Sequence, residues 1–226
     1  MAGRRAALPT EPFVLDRLAP SPDGACVVLW VHGRPAARVD PEVPAELGLG
    51  SGALVGGDLL PSLQAAVARR AAFDQGARLL GQRAISVAHL RRRLGAAWGP
   101  DAAEAALTRL GAYLDDETLA RNWVAARLRV RPAGQAVLLG GLARMGIGRS
   151  QAQAAVREAL GGGAARQMCL DAARRQAGRL AALPAEVRRR RLWGHLRRRG
   201  FGRWEIEAAL QELEHEADDP TVGGER

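Results

Sequence analysis

The densest group of chemically capable side chains lies between Arg188 and Arg199, where seven of 12 residues are arginine. In a helix, Leu192, Trp193 and Leu196 fall on one side of this segment, and the opposite side is cationic. The residues of the cationic side are Arg188, Arg191, His195, Arg198 and Arg199. Because a guanidinium group binds phosphate or carboxylate through paired hydrogen bonds, we predict an anion-binding stripe here. A solvated arginine-rich face without a partner is the alternative.

Two further groups of arginines have the same potential. The first group is Arg91, Arg92 and Arg93, and the second is Arg127, Arg129 and Arg131. The second group ends a helix that we predict to begin at Asp115, and late arginines also stabilise the negative end of a helix dipole. That structural role stays open as an alternative. We predict that both groups, together with Arg203, contact the same anionic partner as the stripe.

The other polar residues show no catalytic or metal-binding pattern. Asp115 and Asp116 stand at a predicted helix start, where capping explains them, and no third ligand lies at metal spacing. The four histidines are scattered along the sequence: His32, His89, His195 and His215. Every basic residue is arginine, which excludes a lysine-dependent phosphate loop, Schiff base or kinase site. We therefore expect no enzyme, no metal and no cofactor.

Charge is distributed unevenly along the 226 residues, which carry a formal net charge of +9. Residues 65–210 hold 27 arginines and 11 acidic residues, whereas the segments on either side of them are net acidic. A strongly basic region attracts polyanions.

Cys26 and Cys169 form no metal or redox motif, so we expect free, buried thiols. With neither a signal peptide nor a membrane span in the pattern, a cytoplasmic monomer is expected.

The first 64 residues predict a small β region. The apolar run from Ala25 to Val31 is rich in β-branched residues and is typical of a strand. The residues from His32 to Pro35 predict a turn, and Ala36 to Val39 predict a returning strand. We interpret the glycine-rich segment from Gly48 to Gly57 as a loop, since no phosphate-binding motif is present in it.

From about Leu59 the apolar residues recur at helical spacing. Leu142–Ile147 aligns without gaps with Leu196–Phe201, and a third copy starts near Leu94, so that three helices repeat with a period of about 50 residues. We predict a mainly all-α fold, an elongated curved array of three three-helix repeats with a small N-terminal β-hairpin extension. The predicted segments are the extension with its Gly-rich loop (1–64), the three repeats (65–112, 113–162 and 163–213) and an acidic tail (214–226).

Five short motifs follow one another along the chain: Ser86–Leu90, Gly111–Glu117 followed by Ala120 and Trp123, Arg131–Gly134, Leu142–Ile147 and Arg198–Phe201. In this order they resemble the RecX family of bacterial RecA regulators. The resemblance covers roughly residues 70–213, about two-thirds of the chain. Repeated three-helix units are also what the resemblance implies for the fold.

The resemblance implies a regulator that lies in the groove of the RecA–single-stranded-DNA filament, without a cofactor. Such a protein limits filament extension, strand exchange and ATP turnover, and it belongs to DNA recombination, repair and the SOS response. The arginine groups would then be its contacts with the filament. The alternative is a direct nucleic-acid-binding protein or transcriptional repressor that uses the arginine-rich face. A scaffold for another acidic protein also stays open.

The acidic segment from Glu212 to Asp219 has two interpretations. It is the frayed end of the last helix, or it shields the arginine stripe until a stronger anion competes for it. Removal of its acids is expected to raise affinity for the filament in the second case.

Overall fold

A computed structural model describes residues 8–218 of the chain and places all its strands before its long helices. The strands are β1 (Phe13–Val14), β2 (Arg17–Pro20), β3 (Val27–Val31), β4 (Arg34–Val39) and β5 (Leu54–Val55), and a short helix, α1 (Val43–Glu46), separates β4 from β5. Strands β2, β3 and β4 form an antiparallel sheet in sequence order, and β1 pairs with β5. The predicted N-terminal β-hairpin is therefore confirmed.

The hairpin turn is shorter than predicted. Only His32 and Gly33 form it, with φ values of 51° and 69°, which is the backbone that a two-residue hairpin turn requires. Arg34 and Pro35 already belong to β4. Pro35 is accommodated because β4 lies at the edge of its sheet and the pairing with β3 shifts register beside it.

The segment from Gly48 to Gly57, which we interpreted as a loop, contains strand β5. Val55 pairs with Phe13, and both side chains are buried in the core of the N-terminal region. The sequence shows little of this because a two-residue strand leaves no alternation to detect. The pairing joins the start of the described chain to the segment that leads into the first long helix.

The long helices follow in three consecutive groups of three. Their bounds are α2 (Leu59–Gln82), α3 (Val87–Trp98), α4 (Pro100–Leu110), α5 (Asp116–Val130), α6 (Gln135–Met145), α7 (Arg149–Leu160), α8 (Ala164–Ala177), α9 (Ala185–Arg198) and α10 (Arg203–Asp218). Each group of three has its own buried apolar cluster. The mainly helical fold class is thus confirmed, while the division into repeats at the stated boundaries stays a prediction. The boundary at 64/65 lies inside α2, and the boundary at 213/214 lies inside α10.

Local sequence signals set most helix ends. The Ser86 side chain accepts a hydrogen bond from the backbone N–H of His89 (3.2 Å), as an N-cap does. Asp115 accepts one from Thr118 N–H (2.9 Å) in the same way. This capping role holds the pKa of Asp115 below its ordinary value, through the hydrogen bonds with Thr118.

The repeat seen in the sequence has a counterpart in the backbone. Gly146 ends α6 with a φ of 79°, and Gly200 follows α9 with a φ of 85°, both in the left-handed region that favours glycine at a helix end. Each is followed by a buried apolar residue, Ile147 or Phe201. The backbone N–H of each apolar residue bonds back to a buried leucine carbonyl of its own helix.

By its contacts, the chain divides between Leu114 and Asp115 into two compact units. In the first, Arg70 on α2 is almost fully buried and joins the sheet to the helices. It pairs with Asp40 (3.1 Å) and Asp74 (2.9 Å) and also binds the carbonyl oxygen of Ala25. Arg109 on α4 binds the other oxygen of Asp40 at 2.8 Å. The first unit is therefore held by a closed network of opposite charges.

Candidate anion-binding site

The candidate site lies in the second unit, where the turn between α5 and α6 meets the end of α9. The backbone N–H of Gly134 donates to the carbonyl oxygen of Arg199 (2.9 Å), and Ala136 N–H donates to that of Gly200 (3.2 Å). A Cβ atom on Gly134 would lie 2.2 Å from the Gly200 carbonyl oxygen. Only glycine allows this approach, which explains the final residue of the Arg-Pro-Ala-Gly motif.

This backbone contact brings the ends of two arginine-rich helices together. Arg127 and Arg131 come from the end of α5, and His195, Arg198 and Arg199 come from the end of α9. The five side chains line an open cleft of about 200 Å³, together with Pro132, Ala133 and Val137. Members of two of the arginine groups predicted from the sequence therefore share one concave surface.

Arg199 is fixed in the cleft by two hydrogen bonds. Its Nε–H donates to His195 Nε2 at 3.0 Å, and its Nη1 donates to the carbonyl oxygen of Pro132 at 3.0 Å. Because His195 Nε2 accepts this bond, the imidazole is neutral and carries its proton on Nδ1. The two bonds hold the guanidinium group in place before any ligand arrives.

Two arginines from a third element add to the positive field. Arg175 near the end of α8 acts on the guanidinium group of Arg199, and Arg179 in the following turn acts on His195. We define the cationic cluster as Arg127, Arg131, Arg175, Arg179, His195, Arg198 and Arg199. Among the side chains of residues 8–216, no carboxylate oxygen lies within ion-pairing distance of any of these seven side chains.

The pKa values of Arg199 and His195 reflect this excess of positive charge. Burial lowers the pKa of Arg199, and the nearby charges of Arg131, Arg127 and Arg175 lower it further. Burial likewise lowers the pKa of His195, with added effects of Arg199, Arg198, Arg131 and Arg179. The charged neighbours with the largest effects on these two groups are all positive, so the cleft favours an anion.

The stripe predicted along α9 does not stay on one surface. Arg188 is half-buried and lines a different groove with Leu192, Leu210 and Leu213, whereas Arg191 is exposed on the first turns of the helix. Of the predicted stripe, His195, Arg198 and Arg199 line the cleft. The helical spacing is as predicted, but α8 and α10 pack on α9 so that its two ends have different neighbours.

The remaining predicted contact residues lie outside the cleft. Arg129 is exposed at the end of α5, and Arg203 pairs with Glu207 at 2.8 Å. In the first unit, Arg91 binds Glu104 at 2.6 Å, Arg92 contacts His89 at 3.3 Å and Arg93 is exposed. Arg91 and Arg203 already have carboxylate partners, which lowers their potential for binding another anion.

Sequence reasoning missed Arg175 and Arg179. Arg175 lies near the end of α8 and Arg179 in the turn that follows, and only the packing of this region against α9 brings them near His195 and Arg199. The nearest signal in the sequence is the Arg174-Arg175 pair, but Arg174 does not belong to the cationic cluster. Arg174 is bound by Glu216.

The acidic segment is helical up to Asp218, and its later residues lie outside the described part of the chain. Three of its acids contact arginines of α8 and α9: Glu212 binds Arg166 at 2.8 Å, Glu214 binds Arg189, and Glu216 binds Arg174. None of these arginines belongs to the cationic cluster. The acids of α10 therefore neutralise one arginine-rich surface and leave the cleft positive.

Other kinds of site have little support in the described residues. No group of three metal-ligating side chains occurs among them, and no helix there is both long and apolar enough to cross a bilayer. Both cysteines are free and buried. Burial raises the pKa of the Cys169 thiol to about 12, with a smaller effect of Glu205, so the thiolate needed for nucleophilic chemistry is disfavoured.

Sequence comparison alone gives no relative: neither a protein-family model nor a curated protein sequence matches the chain. Comparison of structures finds similar proteins. A crystal structure described as regulatory protein RecX is similar with a TM-score of 0.69 and 16% identity, over 90% of this chain and 99% of that one. RecX from Lactobacillus salivarius is similar with a TM-score of 0.61 and 16% identity, over 66% of this chain and 97% of its own. The chain therefore has the fold of RecX, and the resemblance seen in its sequence is confirmed at the level of the fold.

Proposed function

We propose that this chain is a regulator of a bacterial RecA recombinase, acting in the cytoplasm on the RecA–single-stranded-DNA filament. In this proposal it limits filament extension, strand exchange and ATP turnover, and it carries out no chemistry of its own. The single observation that carries the proposal is the RecX fold over 90% of the chain. The cationic cluster supplies the contact surface.

The chemistry of the cluster suits a filament that contains DNA. Arginine forks bind phosphate oxygens in pairs, and DNA presents a closely spaced row of phosphates. Two helix ends contribute to one cleft, so several guanidinium groups can reach adjacent anionic groups at once. Because none of these arginines has a carboxylate partner among the side chains of residues 8–216, a ligand has no ion pair within that range to displace.

The test is ATP hydrolysis by RecA on single-stranded DNA, with this protein titrated at near-physiological salt. The variant Arg131→Gln/Arg198→Gln removes two charges from the cleft. Its matched control, Arg166→Gln/Arg189→Gln, removes two charges from arginines that α10 already neutralises. Inhibition by the parent protein and the control, with clearly weaker inhibition by the cleft variant, is the expected result.

Equal loss of inhibition in both variants would mean that net charge rather than the cleft governs binding. Absence of any effect on RecA, with salt-dependent binding to bare DNA, would favour the second candidate, a direct nucleic-acid-binding protein or repressor. The cleft itself argues for sequence-independent contacts in that case. No Asn or Gln side chain, the residues that recognise adenine edges, lines it.

A further inference from the structure

We propose that the cationic cluster is a binding site for a compact polyphosphate, either the triphosphate group of a nucleotide or an inorganic polyphosphate chain. Such a ligand would compete with the filament and so regulate the activity proposed above. The regulatory role rests on that proposed function. The binding itself does not, and it is measured without RecA.

The first argument is electrostatic. Six arginines from α5, α8, the turn that follows α8, and α9 act on one cleft beside the neutral His195. Like charges at short range destabilise the folded state. Three other arginines of the same unit avoid this penalty: Arg166, Arg174 and Arg189 each have a glutamate of α10 as partner. An arrangement that is unfavourable in the free protein and favourable with a bound anion is typical of a binding site.

The second argument is the size of the cleft. A volume of about 200 Å³ corresponds to about seven water molecules at 30 Å³ each. A phosphodiester strand places one charge per phosphate there, whereas a triphosphate places at least three charges on directly linked phosphates. The denser anion matches the cationic cluster better.

The third argument is preorganisation. The hydrogen bonds of Arg199 to His195 and Pro132 use two of its five N–H donors and leave three for a ligand. Its guanidinium group is therefore oriented in advance, which reduces the entropy lost on binding. The backbone contacts between Gly134 and Arg199 and between Ala136 and Gly200 fix the distance between the two helix ends in the same way.

Isothermal titration calorimetry at near-physiological salt, without divalent metal, tests the inference with four probes. They are tripolyphosphate, ATP, orthophosphate and a short thymidine oligonucleotide. We expect one saturable tripolyphosphate site per chain and tighter binding than orthophosphate. ATP identifies the source: affinity equal to that of tripolyphosphate means that the triphosphate group alone is recognised, and tighter binding means that the nucleoside contributes.

The cleft variant Arg131→Gln/Arg198→Gln should bind tripolyphosphate about 100-fold more weakly, because each lost charged hydrogen bond weakens binding about tenfold. The control Arg166→Gln/Arg189→Gln should bind like the parent. Arg198→Lys keeps the charge but loses the fork and should lie between them. Thermal unfolding of each variant checks that the fold is intact.

Several equally weak tripolyphosphate sites, or the same loss in variant and control, would overturn the inference. So would oligonucleotide binding that tripolyphosphate fails to displace. The two proposals fail separately. If RecA inhibition is seen without tripolyphosphate binding, only this inference is wrong. If tripolyphosphate binds at the cationic cluster and RecA is unaffected, only the proposed function is wrong.

Discussion

Arg70 in the first unit and Arg199 in the second are both withdrawn from solvent, but their surroundings have opposite sign. Arg70 lies between Asp40 and Asp74, its side chain is only 8% exposed, and it also binds a backbone carbonyl. Burial opposes its charge, but the hydrogen bond that Arg70 donates to Asp40 and the charge of Asp74 outweigh burial and raise the pKa of Arg70. At Arg199, burial and three arginines act in the same direction and lower the pKa.

This difference separates an arginine that holds the fold together from one that is available to a ligand. The Arg70 network is complete within the chain, because each charge in it faces an opposite charge. The cationic cluster is incomplete, because all its charged members are positive. Arginine content alone does not distinguish the two cases. The presence or absence of carboxylates around the guanidinium group distinguishes Arg70 from Arg199.

The largest expected effect comes from breaking the complete network. Arg70→Gln leaves the partly buried Asp40 and Asp74 without their central partner. Removal of one member of such a network costs about 3 kcal/mol. Arg198→Gln, which removes one of several like charges, is expected to leave stability unchanged or slightly raised. Urea unfolding followed by far-UV circular dichroism measures both. Equal destabilisation by the two substitutions would remove the distinction between the regions.

An intermediate effect is expected when the incomplete cluster receives a carboxylate. Arg131→Glu places a negative charge beside Arg199, and a new ion pair of this kind stabilises the fold by up to ~1 kcal/mol. Anion binding should be lost in the same variant, since its charge changes by two units at the cleft. The urea midpoint and tripolyphosphate titration are measured together. A gain in stability with unchanged binding would show that the cleft is not the site.

The smallest effect concerns pH. The pKa of His195 is lowered in the folded chain, by burial and by Arg199, Arg198, Arg131 and Arg179, while the unfolded value is about 6.5. As the pH falls below that value, the unfolded chain takes up the proton first, so stability declines until the folded pKa is passed. His195→Gln should remove this part of the decline, and His215→Gln on the exposed face of α10 should not. Thermal midpoints between pH 7.5 and 5 test the difference.

Much of the fold was predictable because its signals are local. Ser86, Asp115, Gly146 and Gly200 each mark a helix end through capping or a left-handed backbone, and these rules need only a few neighbouring residues. The paired strands β1 and β5 were not predictable, because Phe13 and Val55 meet only through tertiary structure.

The candidate site was predictable only in part, for the same reason. The arginines of α5 and α9 were evident from their density. That Arg131 and Arg198 share a cleft while Arg188 lines another groove depends on how the helices pack. Arg175 and Arg179 gave no signal of their own. Nor does a helical wheel show which arginines have acid partners, since Glu212, Glu214 and Glu216 lie far along the chain.

The backbone bonds at Gly134 and Gly200 have a consequence for how such a surface can change over time. The distance between the two helix ends is set by main-chain atoms, so it does not depend on which side chains those ends carry. Substitutions at positions 127, 131, 195 and 198 can then alter the ligand without altering the frame that presents it. The backbone contact between the α5–α6 turn and the end of α9 is therefore a constant frame. Evolution can replace the side chains that it carries, provided that Gly134 and Gly200 remain.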